Sequence, residues 1–248
     1  MLRDTTVSTR LYKATEHLTI FRSFLILLER SGDGRLLLPL AFALWLSPVF
    51  TSATIRQIFL GIFLACILDL AIVGILKVAF RRPRPHYNRG MLVVVAPDQW
   101  SFPSGHASRA IMIAALLFHL LPPISTEFAQ LLPSSLSHLI PTDLHRLFPE
   151  TLKDTLSADL SPEFRVWSLM AAVTAWAVTT AGSRVFLGRH FVLDVAVGCL
   201  LGFLEALLVT RMVWPSQEVS EKLRELAVTC GRFQEGCSLD EIRRTLGI

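Results

Sequence analysis

Five stretches of this sequence are nearly free of charge and approach the length a helix needs to cross a bilayer: Leu36 to Ala53, Gln57 to Leu76, Ala107 to Leu121, Val166 to Gly182 and Phe191 to Val209. A helix rises ~1.5 Å per residue, so ~20 apolar residues cross the ~30 Å hydrocarbon core. Lipid offers no partner for backbone N–H and C=O groups, which makes helices the form such runs take. A sixth stretch, Ala14 to Leu28, has Arg22 at its middle and Glu16 near its start. A charge at mid-bilayer is unfavourable, so this stretch is expected to lie in the interface or to pack inside the bundle. The spacing of Gly198 and Gly202 permits two membrane helices to approach closely. The expected fold is an all-α, integral-membrane bundle of five to six helices.

Residues 1–215 read as one membrane-embedded domain. Within it, 122–165 is too rich in Pro, Ser, Thr and acidic residues to span, and is expected to form a long extramembrane loop. Residues 216–248 form a small polar tail, in which Ser238 and Glu241 predict a capping box for a last helix. Composition agrees with a small membrane protein: 52% of residues are hydrophobic, 18% are charged and the mean hydropathy is +0.51. The net charge of +4 comes from short basic clusters beside the apolar runs, which suits a phosphate site or an anionic membrane surface and argues against nucleic acid as a partner. Cys66, Cys199, Cys230 and Cys237 show neither metal-ligand spacing nor a disulfide framework. No removable signal peptide is expected, because the first residues lack an apolar core followed by a small-residue cleavage site.

The chemistry-bearing residues fall at the ends of the apolar stretches, in three blocks. Lys77 is followed after six residues by Arg84 and Pro85. Pro103, Ser104, Gly105 and His106 immediately precede the third stretch. Ser183 and Arg184 are followed by His190 and Asp194 between the fourth and fifth. Lys77, Arg84 and Arg184 supply fixed positive charge, and the guanidinium fork matches phosphoryl oxygens. The start of a helix at Gly105 offers backbone N–H groups to an anion, with Ser104 adding a hydroxyl and Gly105 allowing close approach. His190 and Asp194, four apart, share one face if helical, so that a carboxylate bonded to one imidazole nitrogen leaves the other basic and aimed, as a nucleophile needs. One such residue alone is usually an interfacial anchor. Here, if each stretch spans once, all three blocks emerge on the same side.

These blocks resemble the three-part signature of the type 2 phosphatidic acid phosphatase superfamily, whose site is shared by vanadium haloperoxidases and bacterial acid phosphatases. All the signature residues are present in order and at the family's internal spacings, over Lys77 to Asp194. The resemblance implies that Lys77, Arg84 and Arg184 bind phosphate and that Ser104 and Gly105 hydrogen-bond it. It further implies that His190 attacks phosphorus, that Asp194 orients His190, and that His106 is the acid for the leaving group and then the base for water. It implies a metal-independent lipid phosphatase with no cofactor, in the endoplasmic reticulum or nuclear envelope, acting on a lipid phosphate or diphosphate. The wording from Ser101 to Ala110 and from Ser183 to His190 is most similar to polyisoprenoid diphosphate phosphatases such as presqualene diphosphate phosphatase. The stretch between His106 and Ser183 is longer than the family leads one to expect.

The alternatives are a broad lipid phosphate phosphatase acting on phosphatidate, lysophosphatidate or sphingoid-base phosphates, and a non-catalytic membrane scaffold of the same fold. A haloperoxidase would not need greasy spans. A transporter is suggested by Asp69 and Glu205 alone, and a carboxylate paired with a bundle arginine explains those equally. Arg81, Arg82 and Arg189 add charge beside the signature, which a second phosphate or flanking lipid headgroups would attract equally. Homo-oligomerisation is left open.

Overall fold

The structure, a computed structural model, describes residues 2–87, 96–120 and 160–232. The described residues form eight α-helices: α1 (Leu2–Thr15), α2 (Thr19–Ser31), α3 (Gly34–Leu46), α4 (Ala53–Phe80), α5 (Gly105–Leu120), α6 (Pro162–Phe186), α7 (Val192–Leu208) and α8 (Gln217–Arg232). A 3-10 turn, Ala96–Gln99, precedes α5, and a π turn, Val209–Val213, extends α7. Among the described residues the extended pairing is a single bridge between Pro83 and Trp100. Most of the expected loop 122–165, and the expected capping box at Ser238 and Glu241, lie outside the described residues.

Local sequence accounts for where these helices begin and end. Asp33 caps α3 by accepting from the Arg35 N–H at 2.9 Å, and Ser52 caps α4 by accepting from Ile55. At the far end of α4, Arg81 takes a left-handed conformation (φ 46°) and its N–H donates to the Lys77 carbonyl, and Pro83 follows. The ambiguous stretch Ala14 to Leu28 is broken: α1 ends at Thr15 and α2 starts at Thr19. Arg22 lies over the Tyr12 ring at 5.4 Å, which partners the charge that made a spanning assignment costly.

Two compact units result, Met1–Leu116 with Trp176–Ile248, and Leu117–Ala175. In the second, Val166 and Met170 pack with Leu117 and Leu169. The first holds the site. Its α5 and α7 approach closely because a Cβ on Gly202 would lie 2.0 Å from the Ser108 carbonyl oxygen, and one on Gly198 2.6 Å from that of Ser104. Beneath this contact Arg109 pairs with Asp69 at 2.7 Å, and Ser108 donates to Glu205 at 3.0 Å, all four buried. Asp69 and Glu205 are therefore spoken for by an arginine and a hydroxyl inside the bundle.

Among the described residues, α4 and the run Val192–Val213 are long and apolar enough to cross a membrane, while α3 and α5 are apolar but shorter. Ile67, Ile75 and Val78 on α4, and Leu200, Phe203, Leu204 and Leu207 on α7, are exposed. The polar tail packs on the bundle through its described part. Its first half is α8, held by a two-point ion pair between Arg56 and Glu221 (2.8 and 2.9 Å) and by the Trp45 indole donating to Ser220 at 3.1 Å.

Candidate active site

Lys77, Arg84, Gly105, His106, Arg184 and His190 line one cavity of about 650 Å³. Ser104 and Asp194 are fully buried and do not line it. Lys77 comes from the last turn of α4, and Arg184 from the last turn of α6. Arg84 follows the left-handed end of α4. Its Nε donates to the Asp98 carbonyl (2.8 Å) and its Nη1 to the Arg189 carbonyl (2.7 Å), while Nη1 is also 3.2 Å from His190 Nε2.

The segment carrying His190 is a tight return after α6. Gly188 turns it with φ 74°, a conformation that favours glycine, and a Cβ there would meet the stacked rings of Tyr12 and Tyr87 at 3.0 and 2.9 Å. The N–H groups of Arg189 and His190 both donate to the Arg184 carbonyl (2.9 and 3.2 Å), so the return ties His190 directly to Arg184.

Here the sequence expectation needs correction. His190 is not helical: α7 starts at Val192 with Phe191 as its cap, so His190 and Asp194 do not sit on one helix face. Nδ1 of His190 lies 2.7 Å from the Ser101 carbonyl, whereas Asp194 Oδ2 is 3.9 Å away. A carbonyl only accepts, so Nδ1 carries the proton and Nε2 keeps its lone pair. Asp194 acts one step back. It accepts from the Ser101 hydroxyl, from the Phe191 N–H at 3.0 Å and from Arg82 at 2.6 Å, and so fixes the residue whose carbonyl fixes the imidazole. Ser104 is similarly shared: its N–H donates to the Asp194 carbonyl at 3.0 Å, which removes it from the helix-start donors expected to face an anion.

Burial, followed by the cations Arg84, Arg184 and Lys77, pushes the His190 imidazole well below the ordinary histidine range. Burial and Arg184 lower Arg84 to about 10, which leaves it charged at neutral pH. Among the described residues, several buried polar atoms have no hydrogen-bond partner in the protein: Ser104 Oγ, His106 Nε2, and Nε and Nη2 of Arg184. Buried polar groups without partners are rare in folded proteins. All four are donors or can act as donors, and three of them belong to His106 and Arg184, which line the cavity with Lys77 and Arg84, an arrangement that suits a tetrahedral oxyanion.

Sequence reasoning missed Glu29. Its Oε1 accepts from Arg184 at 2.6 Å and from Arg189 Nε at 3.1 Å, and Oε2 accepts from Arg189 Nη2 at 3.3 Å. Burial pushes this carboxyl up, but the two arginines overcome burial and hold it below the usual range. No local pattern announces Glu29, which lies 155 positions from Arg184. Asp98, paired with Lys77 at 3.6 Å, and Ser101 were also missed. Arg82, assigned to a second phosphate, is instead consumed by Asp194 and by Asp4 (2.7 Å), with its guanidinium 4.2 Å from the Phe191 ring centroid. Arg81 Nε bonds the Val78 carbonyl at 3.0 Å. Neither lines the cavity; Arg189 does.

The profile of the PAP2 superfamily matches residues 58–218, a span that contains every signature residue. The chain belongs to the PAP2 superfamily. Among curated proteins, this PAP2 chain is 36% identical over 190 residues to a probable lipid phosphate phosphatase beta of Arabidopsis thaliana, covering 76% of this chain and 79% of the relative. Its fold is similar to that of a transmembrane PAP2 type phosphatidylglycerolphosphate phosphatase from Bacillus subtilis, with TM-score 0.56 and 22% identity over 84% of this chain and 83% of the other. It is also similar to that of Aquifex aeolicus LpxE, with TM-score 0.50 and 22% identity over 83% and 93%. Among the described residues, two helices of this PAP2 chain, α4 and the run Val192–Val213, are long and apolar enough to cross a membrane.

Proposed function

We propose that this PAP2 protein hydrolyses a lipid phosphate through a phosphohistidine formed on His190, without a metal ion, and that its favoured substrate is a polyisoprenoid diphosphate. The observation that carries this reading is the meeting of buried, partnerless polar atoms on His106 and Arg184 with Lys77, Arg84 and a His190 whose Nε2 lone pair is directed by the Ser101 carbonyl. The relative's name supports a lipid phosphate as the substrate.

In the first step Nε2 of His190 attacks phosphorus. The N–P bond forms, the P–O bond to the lipid breaks, and His106 gives its proton to the departing oxygen. In the second step His106 takes a proton from water as the water oxygen attacks phosphorus, the N–P bond breaks and inorganic phosphate leaves. Lys77, Arg84 and Arg184 stabilise the equatorial oxygens in both steps, which is the role a metal ion takes in other phosphoryl transfer sites. Among the described residues no group of three His, Cys, Asp or Glu side chains could hold such an ion. The diphosphate preference rests on the sequence wording around His106 and His190 and on the surplus of cations around the cavity.

The test is phosphate release from lipid phosphates by the purified chain in detergent. His190→Ala is expected to lower kcat by at least about a thousandfold, and rapid acid-free quenching of the wild type with labelled substrate should trap base-stable label on the protein that His190→Ala lacks. Near-normal turnover by His190→Ala would sink the mechanism.

A further inference from the structure

The cavity extends beyond the family signature to α2 and the start of α3, where Ile26, Glu29, Arg30, Asp33 and Arg35 line it. All of these precede the span matched by the PAP2 profile. On α2, Ile26, Glu29 and Arg30 fall at helical positions i, i+3 and i+4, and on α4 Leu70, Val73, Gly74 and Lys77 fall at i, i+3, i+4 and i+7, so each helix gives the cavity one stripe. Both stripes grade from apolar to charged toward the C-terminal end. At ~1.5 Å per residue the gradient spans ~6 Å on α2 and ~10 Å on α4. A lipid tail fits the Ile26 and Leu70 end, with its headgroup at the other.

The charged end holds more positive charge than one phosphoryl group uses. Arg109 is spent on Asp69. The remaining lining cations are Arg30, Arg35, Lys77, Arg84, Arg184 and Arg189, against three carboxylates, Glu29, Asp33 and Asp98. Arg35 is paired with Asp33, Lys77 with Asp98, and Arg184 and Arg189 with Glu29, while Arg84 is held by two backbone carbonyls. Arg30 alone has no hydrogen-bond or ion-pair partner for its guanidinium among the described residues. It is also one helical turn past Ile26 and adjacent to Glu29, the residue that holds Arg184.

We infer that Arg30 is a specificity-determining residue that binds the anionic group linking the lipid tail to the phosphoryl being transferred, so that a headgroup with two adjacent phosphates is selected over one with a single phosphate. This rests on the phosphatase reading above. It replaces Arg81 and Arg82, which the fold turns elsewhere, with a residue the family signature does not contain.

The experiment compares kcat/KM for farnesyl diphosphate and farnesyl monophosphate, which share a tail, in neutral micelles without anionic lipid, using wild type, Arg30→Ala and Arg30→Lys. Arg30→Ala is expected to lower kcat/KM for the diphosphate by about tenfold or more, chiefly through KM, while the monophosphate changes less than about twofold; Arg30→Lys recovers part of the loss. Pyrophosphate should also inhibit wild type better than phosphate does, an advantage that Arg30→Ala erases. Arg30 is exposed, so the variants are expected to keep the wild-type melting temperature. Equal losses on both lipids would mark Arg30 as a general membrane or folding contact and overturn the inference, as would an unchanged ratio of the two efficiencies. A wild type that hydrolyses neither lipid would overturn the phosphatase reading and this inference with it.

Discussion

At the residue scale, the distinctive feature is the relay from Asp194 through Ser101 to His190. The four-residue spacing of His190 and Asp194 was legible in the sequence and drew attention to the pair, but for a reason the structure replaces. A helix cannot hold both, because the return at Gly188 needs His190 outside α7. The Ser101 carbonyl then takes the role that spacing gave to Asp194. Asp194→Asn should lower kcat by about 10²-fold or more, because Arg82 and the Ser101 hydroxyl lose their charged acceptor. Ser101→Ala keeps the carbonyl and loses only the hydroxyl, so a milder loss of about tenfold is expected. Steady-state kinetics on one lipid phosphate compare the two, and equal losses would show that the carbonyl is not what holds the imidazole. The pH profile gives an independent check. In the proposed mechanism His190 attacks when neutral, and its proton affinity is held below the ordinary value of about 6.5, so the acidic limb of kcat/KM that belongs to it should lie below that pH. Arg84→Gln removes a cation that disfavours the imidazolium and should move the limb to higher pH; a shift in the other direction would contradict the electrostatic account.

At the element scale, the apolar stretches gave four helices to within a few residues, since hydrophobic length is a local property: Gln57 to Leu76 lies within α4, Ala107 to Leu121 matches α5, and the last two match α6 and α7. The break between α1 and α2 was foreshadowed only by the charges Glu16 and Arg22. What sequence could not supply was which helix meets which. Glu29 reaches Arg184, and Asp4 reaches Arg82, only after distant segments pack. The contact of α5 with α7 carries both halves of the site, because His106 starts one helix and Asp194 the other. Gly202→Val would drive a side chain into the Ser108 carbonyl and should destabilise the fold by about 1–3 kcal/mol or more. Thermal unfolding in detergent measures it, and an unchanged melting temperature would show that the helices can separate freely there. Asp69→Ala leaves Arg109 buried without its carboxylate and should lower stability by about 3–5 kcal/mol, whereas Asp69→Asn, which keeps a hydrogen-bond acceptor, should be milder.

At the scale of the whole molecule, a cationic cradle, an apolar-to-charged cavity and two long apolar helices fit the proposed function, in which the enzyme meets its substrate at the bilayer edge. Chelators should leave turnover unchanged, and vanadate should inhibit by adopting the five-coordinate geometry of phosphoryl transfer. Complete loss of activity in chelator, restored by added magnesium, would require a metal ion in the mechanism. Replacement of Arg56 or Glu221 tests a different property. These residues tie α8 to the N-terminal end of α4, far along that helix from Lys77, so Arg56→Ala should lower thermal stability while KM stays within about twofold.

The carboxylate of Glu29 also bears on the order in which this protein is made. Arg184 and Arg189 leave the ribosome more than 150 residues after the partner that holds them, and Asp4, which meets Arg82 after 78 residues, waits 189 for the Leu193 N–H. A nascent chain stopped before residue 184 has membrane helices but neither the imidazole nor the completed arginine cluster. On the proposed mechanism, hydrolytic competence therefore arrives at a late step of biosynthesis, when the return carrying His190 folds back onto helices made first, and a chain truncated there would be an inert fragment rather than an unregulated enzyme.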